Sequence, residues 1–116
     1  MSQKLAIFAF AGESGCFAHA LLNALDMAAK GNEVRLIVEG KATAMVRDLQ
    51  DPAQPFAVLY NKVKAAGLID AVCRACAART GALAAAESQG LPLVDEMGGH
   101  PSMARYLAAG YQIITI

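Results

Sequence analysis

Leu5-Ala6-Ile7-Phe8-Ala9-Phe10 is an unbroken apolar run near the start of the chain. It shows no alternation of polar and apolar residues, so it does not fit a strand with one face in water. A short run of this kind predicts a strand buried on both faces, as in a parallel sheet. Gly12 to Gly15 then reads as a turn, and a helix is expected from about Cys16 to Lys30. Its apolar face carries Phe17, Leu21, Ala24, Leu25 and Ala28, and its polar stripe carries His19, Asn23, Asp26 and Lys30. Gly31 follows in the position that ends a helix.

The same alternation continues outward. Val34 to Val38 predicts a second strand, and Lys41 to Gln50 a short helix with Met45, Val46 and Leu49 inward. After a turn at Asp51 to Pro55, Phe56, Leu59, Val63 and Ala66 mark the apolar face of another helix, ended by Gly67. Leu68 to Val72 is the expected third strand, followed by an alanine-rich helical region punctuated by Gly81 and Gly90. Leu91 to Val94 reads as a weaker fourth strand; a helix opened by Pro101 and closed by Gly110 leads to a fifth, Tyr111 to Ile116. Helix, glycine, apolar strand is the rhythm of βαβ units. The expectation is a single three-layer α/β/α domain over residues 1–116, with a mostly parallel sheet of about five strands.

Composition sets bounds on function. Apolar residues make up 56% of the chain and charged residues 17%, the reverse of a disordered composition. In so small a domain it also suggests that some apolar surface meets another subunit. Ten basic and ten acidic residues cancel and form no basic run, so neither nucleic acid nor an acidic membrane surface is an expected partner. The apolar stretch before Ala9-Phe10-Ala11 is too short for a signal sequence, and Phe17 to Ala29 is interrupted by His19, Asn23 and Asp26, so no membrane span is expected. Three cysteines make no disulfide framework, and the expected location is the cytoplasm, where thiols stay reduced.

In open parallel sheets, sites form beyond the carboxyl ends of the strands. Three loops with reactive content map there: Gly12-Glu13-Ser14-Gly15-Cys16, the segment from Cys73 through Cys76, and Asp95-Glu96-Met97-Gly98-Gly99-His100. Chain order does not fix strand order, so the three need not touch. Cys73 falls where the third strand hands over to a helix, whose start favours thiolate, with Arg74 and Arg79 adding positive charge. Thiolate is the nucleophile for sulfane-sulfur transfer and for disulfide exchange, and the spacing to Cys76 permits an internal disulfide. Both cysteines equally fit as small buried residues.

Gly12 to Cys16 can be read as an anion cradle at a helix start or as a plain tight turn; it lacks the Walker lysine and the dinucleotide fingerprint. His100 fits either a proton-transfer group beside the thiols or a cap for the helix at Pro101, while His19, Asp95 and Glu96 read as solvated side chains. A zinc site from Cys73, Cys76, Cys16 and His100 would need a second ligand pair that only an unknown strand order could supply, so neither metal nor cofactor is expected. The five methionines read as core.

The segment Cys73-Arg74-Ala75-Cys76-Ala77-Ala78-Arg79-Thr80-Gly81 resembles the active-cysteine stretch of the DsrE/DsrF-like sulfur-relay family. So does the ending, Gly99-His100-Pro101-Ser102-Met103 through Gly110-Tyr111 to Ile116, and the succession of elements matches over nearly the whole chain. Counting back from Gly81, Cys73 falls on the family's sulfur-carrying cysteine. Thr80 stands where the family's arginine pair has its second member, and Cys76 where alanine is usual.

The resemblance implies a persulfide carrier of the sulfurtransferase or sulfur-relay kind, working with sulfur-donor or acceptor proteins as a homo-oligomer, commonly trimeric or hexameric. The alternatives are a Cys-x-x-Cys dithiol redox protein and a non-catalytic binding or assembly module holding a small anion at Gly12 to Cys16.

Overall fold

The computed structural model describes residues 2–116. Five strands form one sheet: β1 (Lys4–Ala9), β2 (Glu33–Val38), β3 (Ile69–Cys73), β4 (Leu93–Val94) and β5 (Gln112–Thr115). Their order is β4-β3-β2-β1-β5, and every pairing is parallel. The helices are α1 (Ser14–Ala29), α2 (Thr43–Asp48), α3 (Ala57–Ala65), α4 (Arg74–Thr80), α5 (Leu83–Ser88) and α6 (Met103–Ala108), with a 3₁₀ turn at Gly40–Ala42. The expected three-layer α/β/α domain is therefore what forms.

The opening run behaves as its lack of alternation predicts. β1 lies in the middle of the sheet, and every residue from Leu5 to Ala9 is buried. The two edge strands are the short, less buried ones, and β4 shrinks to two residues.

Strand order dictates how the faces are covered. From β1 to β4 each strand is laid on the same side of the last, so right-handed crossovers send α1 through α5 to one face. The return from β4 to β5 runs the other way and puts α6 on the opposite face. Two cores result. The larger joins Phe17, Leu21 and Ala24 of α1, Val46 of α2, Tyr60 and Val63 of α3, and Ala77 of α4 to Ile7, Leu36 and Val72 of the sheet. The smaller sets Tyr106 of α6 against Ala6, Phe8, Ile37 and Ala71. There Tyr106 meets the Phe8 ring edge-on at 5.5 Å and the Tyr111 ring at 5.8 Å.

Three local expectations are corrected. The helix expected over 41–50 splits into the 3₁₀ turn and α2. α6 begins at Met103 rather than at Pro101. The buried face of α3 is Ala57, Tyr60 and Val63, not Phe56, Leu59, Val63 and Ala66. Tyr60 takes the inward position because its ring packs in the core while its hydroxyl donates to Gln89 Oε1 at 2.6 Å. Phe56, with φ 72°, is the residue that turns the chain into the helix, and it stays partly exposed.

Leu21→Ala should cost about 2–5 kcal/mol of stability, because the side chain is fully buried between α1 and the sheet. Val58→Ala, at a position 69% exposed, should change stability by less than about 0.5 kcal/mol. Urea unfolding followed by circular dichroism measures both, and similar losses in the two variants would contradict the placement of the larger core.

Candidate functional site

The site arises where neighbouring strands send their connections to opposite faces. β3 feeds α4 on the heavily covered face; β4 feeds the 95–102 loop and then α6 on the other. At the carboxyl ends of the strands a cavity opens where the turn after β2, the start of α4 and His100 of the 95–102 loop come together. Register fixes who meets there. Cys73, the last residue of β3, pairs with Val94 at the end of β4, and Val72 pairs with Val38 at the end of β2. Glu39, Cys73 and the loop leading to His100 are thus neighbours.

Cys73 caps α4, its sulfur accepting the Cys76 N–H at 3.3 Å. One helical turn later, Cys76 brings its own sulfur to 2.8 Å from that of Cys73. His100 Nδ1 lies 3.0 Å from Cys73 Sγ and 3.6 Å from Cys76 Sγ, and Cys73 Sγ is 3.6 Å from the Gly99 carbonyl oxygen. The carboxylate of Glu39 approaches the same ring nitrogen, with Oε1 3.9 Å from Nδ1.

Gly99 makes this approach possible. Its carbonyl accepts the Ala75 N–H at 3.0 Å, so the 95–100 loop lies directly on the first turn of α4. A Cβ at Gly99 would come 2.9 Å from the Ala75 Cβ, and φ there is +98°. Only glycine satisfies both demands.

Burial divides the two thiols. Cys73 is fully buried, and Cys76 is half-buried on the wall of a cavity of about 200 Å³, which is also lined by Lys41, Arg79, Thr80 and His100. Burial pushes the Cys73 thiol up to about 12; the contact with the Cys76 side chain adds to this, and the Cys76 N–H opposes it. The expected thiolate-favouring environment of Cys73 is therefore reversed. Of the two arginines expected to help, Arg74 pairs with Asp95 at 3.4 Å and Arg79 lines the cavity. Burial likewise pushes the Glu39 carboxyl up, and His100 opposes this.

The remaining expectations separate. The N–H groups of Gly15 and Cys16 are occupied by Glu13, whose carboxylate accepts both at 2.9 Å as the cap of α1. Those bonds hold the Glu13 carboxyl below its ordinary range, and the contact with Glu13 pushes the Cys16 thiol up. Gly12 to Cys16 is thus a self-capped turn whose anion position is filled from within. Cys16 is exposed and stands outside the Cys73–Cys76–His100 cluster. His100 does not cap α6: the carboxylate of Glu96 takes the Ser102 N–H at 2.8 Å and both contacts with Arg105 Nε at 2.9 Å. Its ring joins the thiols instead. His19 is exposed on α1, as expected.

Two residues beside the thiols, Glu39 and Lys41, were not foreseen from sequence. Both follow β2; the position of Glu39, first beyond the carboxyl end of an apolar strand, is visible in the sequence, but its burial is not.

A five-stranded parallel sheet, with two thiols and an imidazole gathered beyond the ends of adjacent strands, defines an α/β protein with a dithiol site. Among its relatives is the uncharacterized protein MJ0733 of Methanocaldococcus jannaschii, 35% identical over 98 residues that make up 84% of this chain and 78% of that one. The chain belongs to the same family as MJ0733. An uncharacterized protein of Archaeoglobus fulgidus is 44% identical over 45 residues, 39% of this chain and 74% of that one. A solved structure of a conserved protein of unknown function, BT1422 from Bacteroides thetaiotaomicron, shares the fold with a TM-score of 0.68 at 19% identity, covering 98% of this chain and 95% of that one. No family model matches the chain.

Gly99→Ala should lower stability by about 1–3 kcal/mol through backbone strain, with the Ala75 contact adding to it. Gly98→Ala, with φ +58° and open space around it, should cost only about 1 kcal/mol. Thermal unfolding of the two variants side by side tests this; a Gly99→Ala protein as stable as Gly98→Ala would mean that the loop is not seated on α4.

Proposed function

We propose that the chain is a sulfane-sulfur carrier of the DsrE/DsrF-like kind, working through the Cys73–Cys76 pair. The observation that carries this reading is the convergence of two thiols and His100 Nδ1 within 2.8–3.6 Å at the wall of a cavity. Cys76 lines that cavity and meets a donor first. His100 accepts the thiol proton, and the Cys76 thiolate attacks the terminal sulfur of a donor persulfide. The donor's S–S bond breaks, the donor leaves as its thiolate, and Cys76 becomes a persulfide. His100 gives its proton to the departing donor thiolate and is free to take the Cys73 proton; the Cys73 sulfur attacks the outer sulfur, the Cys76 S–S bond breaks, and His100 returns the proton to the Cys76 sulfur. Cys73, the cysteine that the family resemblance marks as the carrier, holds the cargo in its buried position until an acceptor thiolate removes it. Lys41 and Arg79 along the cavity suit an anionic donor such as a polysulfide or a protein persulfide.

A dithiol redox role is the second reading, favoured by the 2.8 Å between the sulfurs. Here an oxidant of the disulfide class removes two electrons and two protons to leave a Cys73–Cys76 bond.

The carrier reading brings with it a cytoplasmic setting and a trimer or hexamer. Among the described residues no helix is long and apolar enough to cross a membrane, and Phe10 and Met97 present exposed apolar surface beside a second cavity of about 390 Å³.

The reduced protein treated with polysulfide should gain the mass of one sulfur atom, mapped to Cys73 by tandem mass spectrometry. Cys76→Ser should fail to load, and Cys73→Ser should retain the sulfur on Cys76. Loss of two hydrogens instead, abolished by either substitution, selects the redox reading. No change, under conditions that modify a control thiol, rules out both.

A further inference from the structure

We propose that Cys73, Cys76 and His100 also form a zinc(II) site with three protein ligands and a fourth position open towards Glu39. One ligand atom from each of the three residues lies within 4.8 Å of every other. The edges of the ligand triangle are 2.8, 3.0 and 3.6 Å. A tetrahedral zinc ion with Zn–S about 2.3 Å and Zn–N about 2.0 Å needs edges of roughly 3.4–3.8 Å, so the sulfurs have to part by about 1 Å. Side-chain rotation of the half-buried Cys76 supplies that movement. Two thiolates and an imidazole are a borderline-soft donor set, which suits zinc and excludes magnesium and calcium. Binding releases the two thiol protons to solvent, so charge and atoms balance.

Glu39 is an independent sign of a cation here. Its side chain is 9% exposed, its carboxylate takes no hydrogen bond from a described residue, its oxygens keep a narrow contact with solvent, and His100 Nδ1 is 3.9 Å away. A carboxylate drawn this far from solvent favours positive charge beside it. A zinc ion bound to Nδ1 places that charge, and a water in the fourth position gives Glu39 a fixed donor in place of solvent. Cys16 stands outside the cluster, so the site comes from the loops after β2, β3 and β4 alone.

The zinc site does not depend on the sulfur-carrier reading, although metal and cargo compete for the same sulfurs. Cobalt(II), titrated into the reduced, untagged full chain, is the probe. One cobalt per chain should bind with thiolate-to-cobalt charge-transfer absorption and the intense visible bands of a tetrahedral ion, and zinc should discharge both. Cys76→Ser should lose the charge-transfer band, His100→Gln should weaken binding at least tenfold, and Cys16→Ser should match the native protein. Glu39→Gln should weaken zinc binding on the order of 10–100-fold, as loss of a group that orients a ligand does. Circular dichroism confirms that each variant is folded; if Cys76→Ser is not, His100→Gln against Cys16→Ser still decides. Absence of the charge-transfer band in the native protein overturns the site, as does a native-like spectrum in folded Cys76→Ser or His100→Gln. Polysulfide loading is measured without metal, so failure of either reading leaves the other's test intact.

Discussion

The handedness of the strand connections is the constraint on which the rest of the molecule depends. Because parallel crossovers are right-handed, four strands laid down in one direction commit α1 through α5 to a single face. The second face is then left to whatever connects β4 back to β5, and here that is the short α6. The asymmetry sends the chain after β3 and the chain after β4 to opposite faces, and the two touch only where Gly99 rests on the first turn of α4. The cavity forms beside that contact, closed on its other side by Gly40 and Lys41 after β2, so topology sets its place and the side chains furnish it.

What furnishes it is a set of groups that restrain one another. The sulfur of Cys73 is buried at the end of a central strand, which holds it as a neutral thiol, and its nearest polar neighbours are Cys76 and His100. His100 in turn faces a buried carboxylate. A proton leaving Cys73 has an acceptor 3.0 Å away, and the imidazolium so formed has the Glu39 carboxylate 3.9 Å from the same nitrogen to offset its charge. Burial that makes the thiol inert alone makes the pair responsive to anything that brings positive charge into the cavity.

Much of the fold was legible because burial writes itself into sequence. The run Leu5 to Ala9 is apolar at every position since both sides of β1 are covered, and Gly31, Gly67, Gly90 and Gly110 do follow helices. The α3 face was misread because Tyr60 is both apolar and polar, and periodicity alone could not say which end of the ring would decide. In the site, Cys73 and Cys76 were legible from their spacing on one helical turn, and His100 from its place after a strand. Glu39 was not, because a single carboxylate is no motif and its burial depends on strands far apart in the chain. The self-capping of α1 by Glu13 was hidden for a related reason: Gly12 to Cys16 reads as a tight turn or an anion cradle, and only the folded backbone shows that the anion is the turn's own glutamate.

The two-residue β4 sets the timescales of the site apart from those of the core. It is joined to β3 by two register pairs, Val72 with Leu93 and Cys73 with Val94, whereas β1 and β2 share six. Local opening free energies follow such differences in pairing and burial. Backbone amides in the β4 segment and the loop after it will exchange with solvent long before those of β1 and β2. The arm that carries His100 can swing off the thiols while the sheet stays folded, so the imidazole is a removable partner and the buried sulfur is exposed only in a minor, transiently opened state.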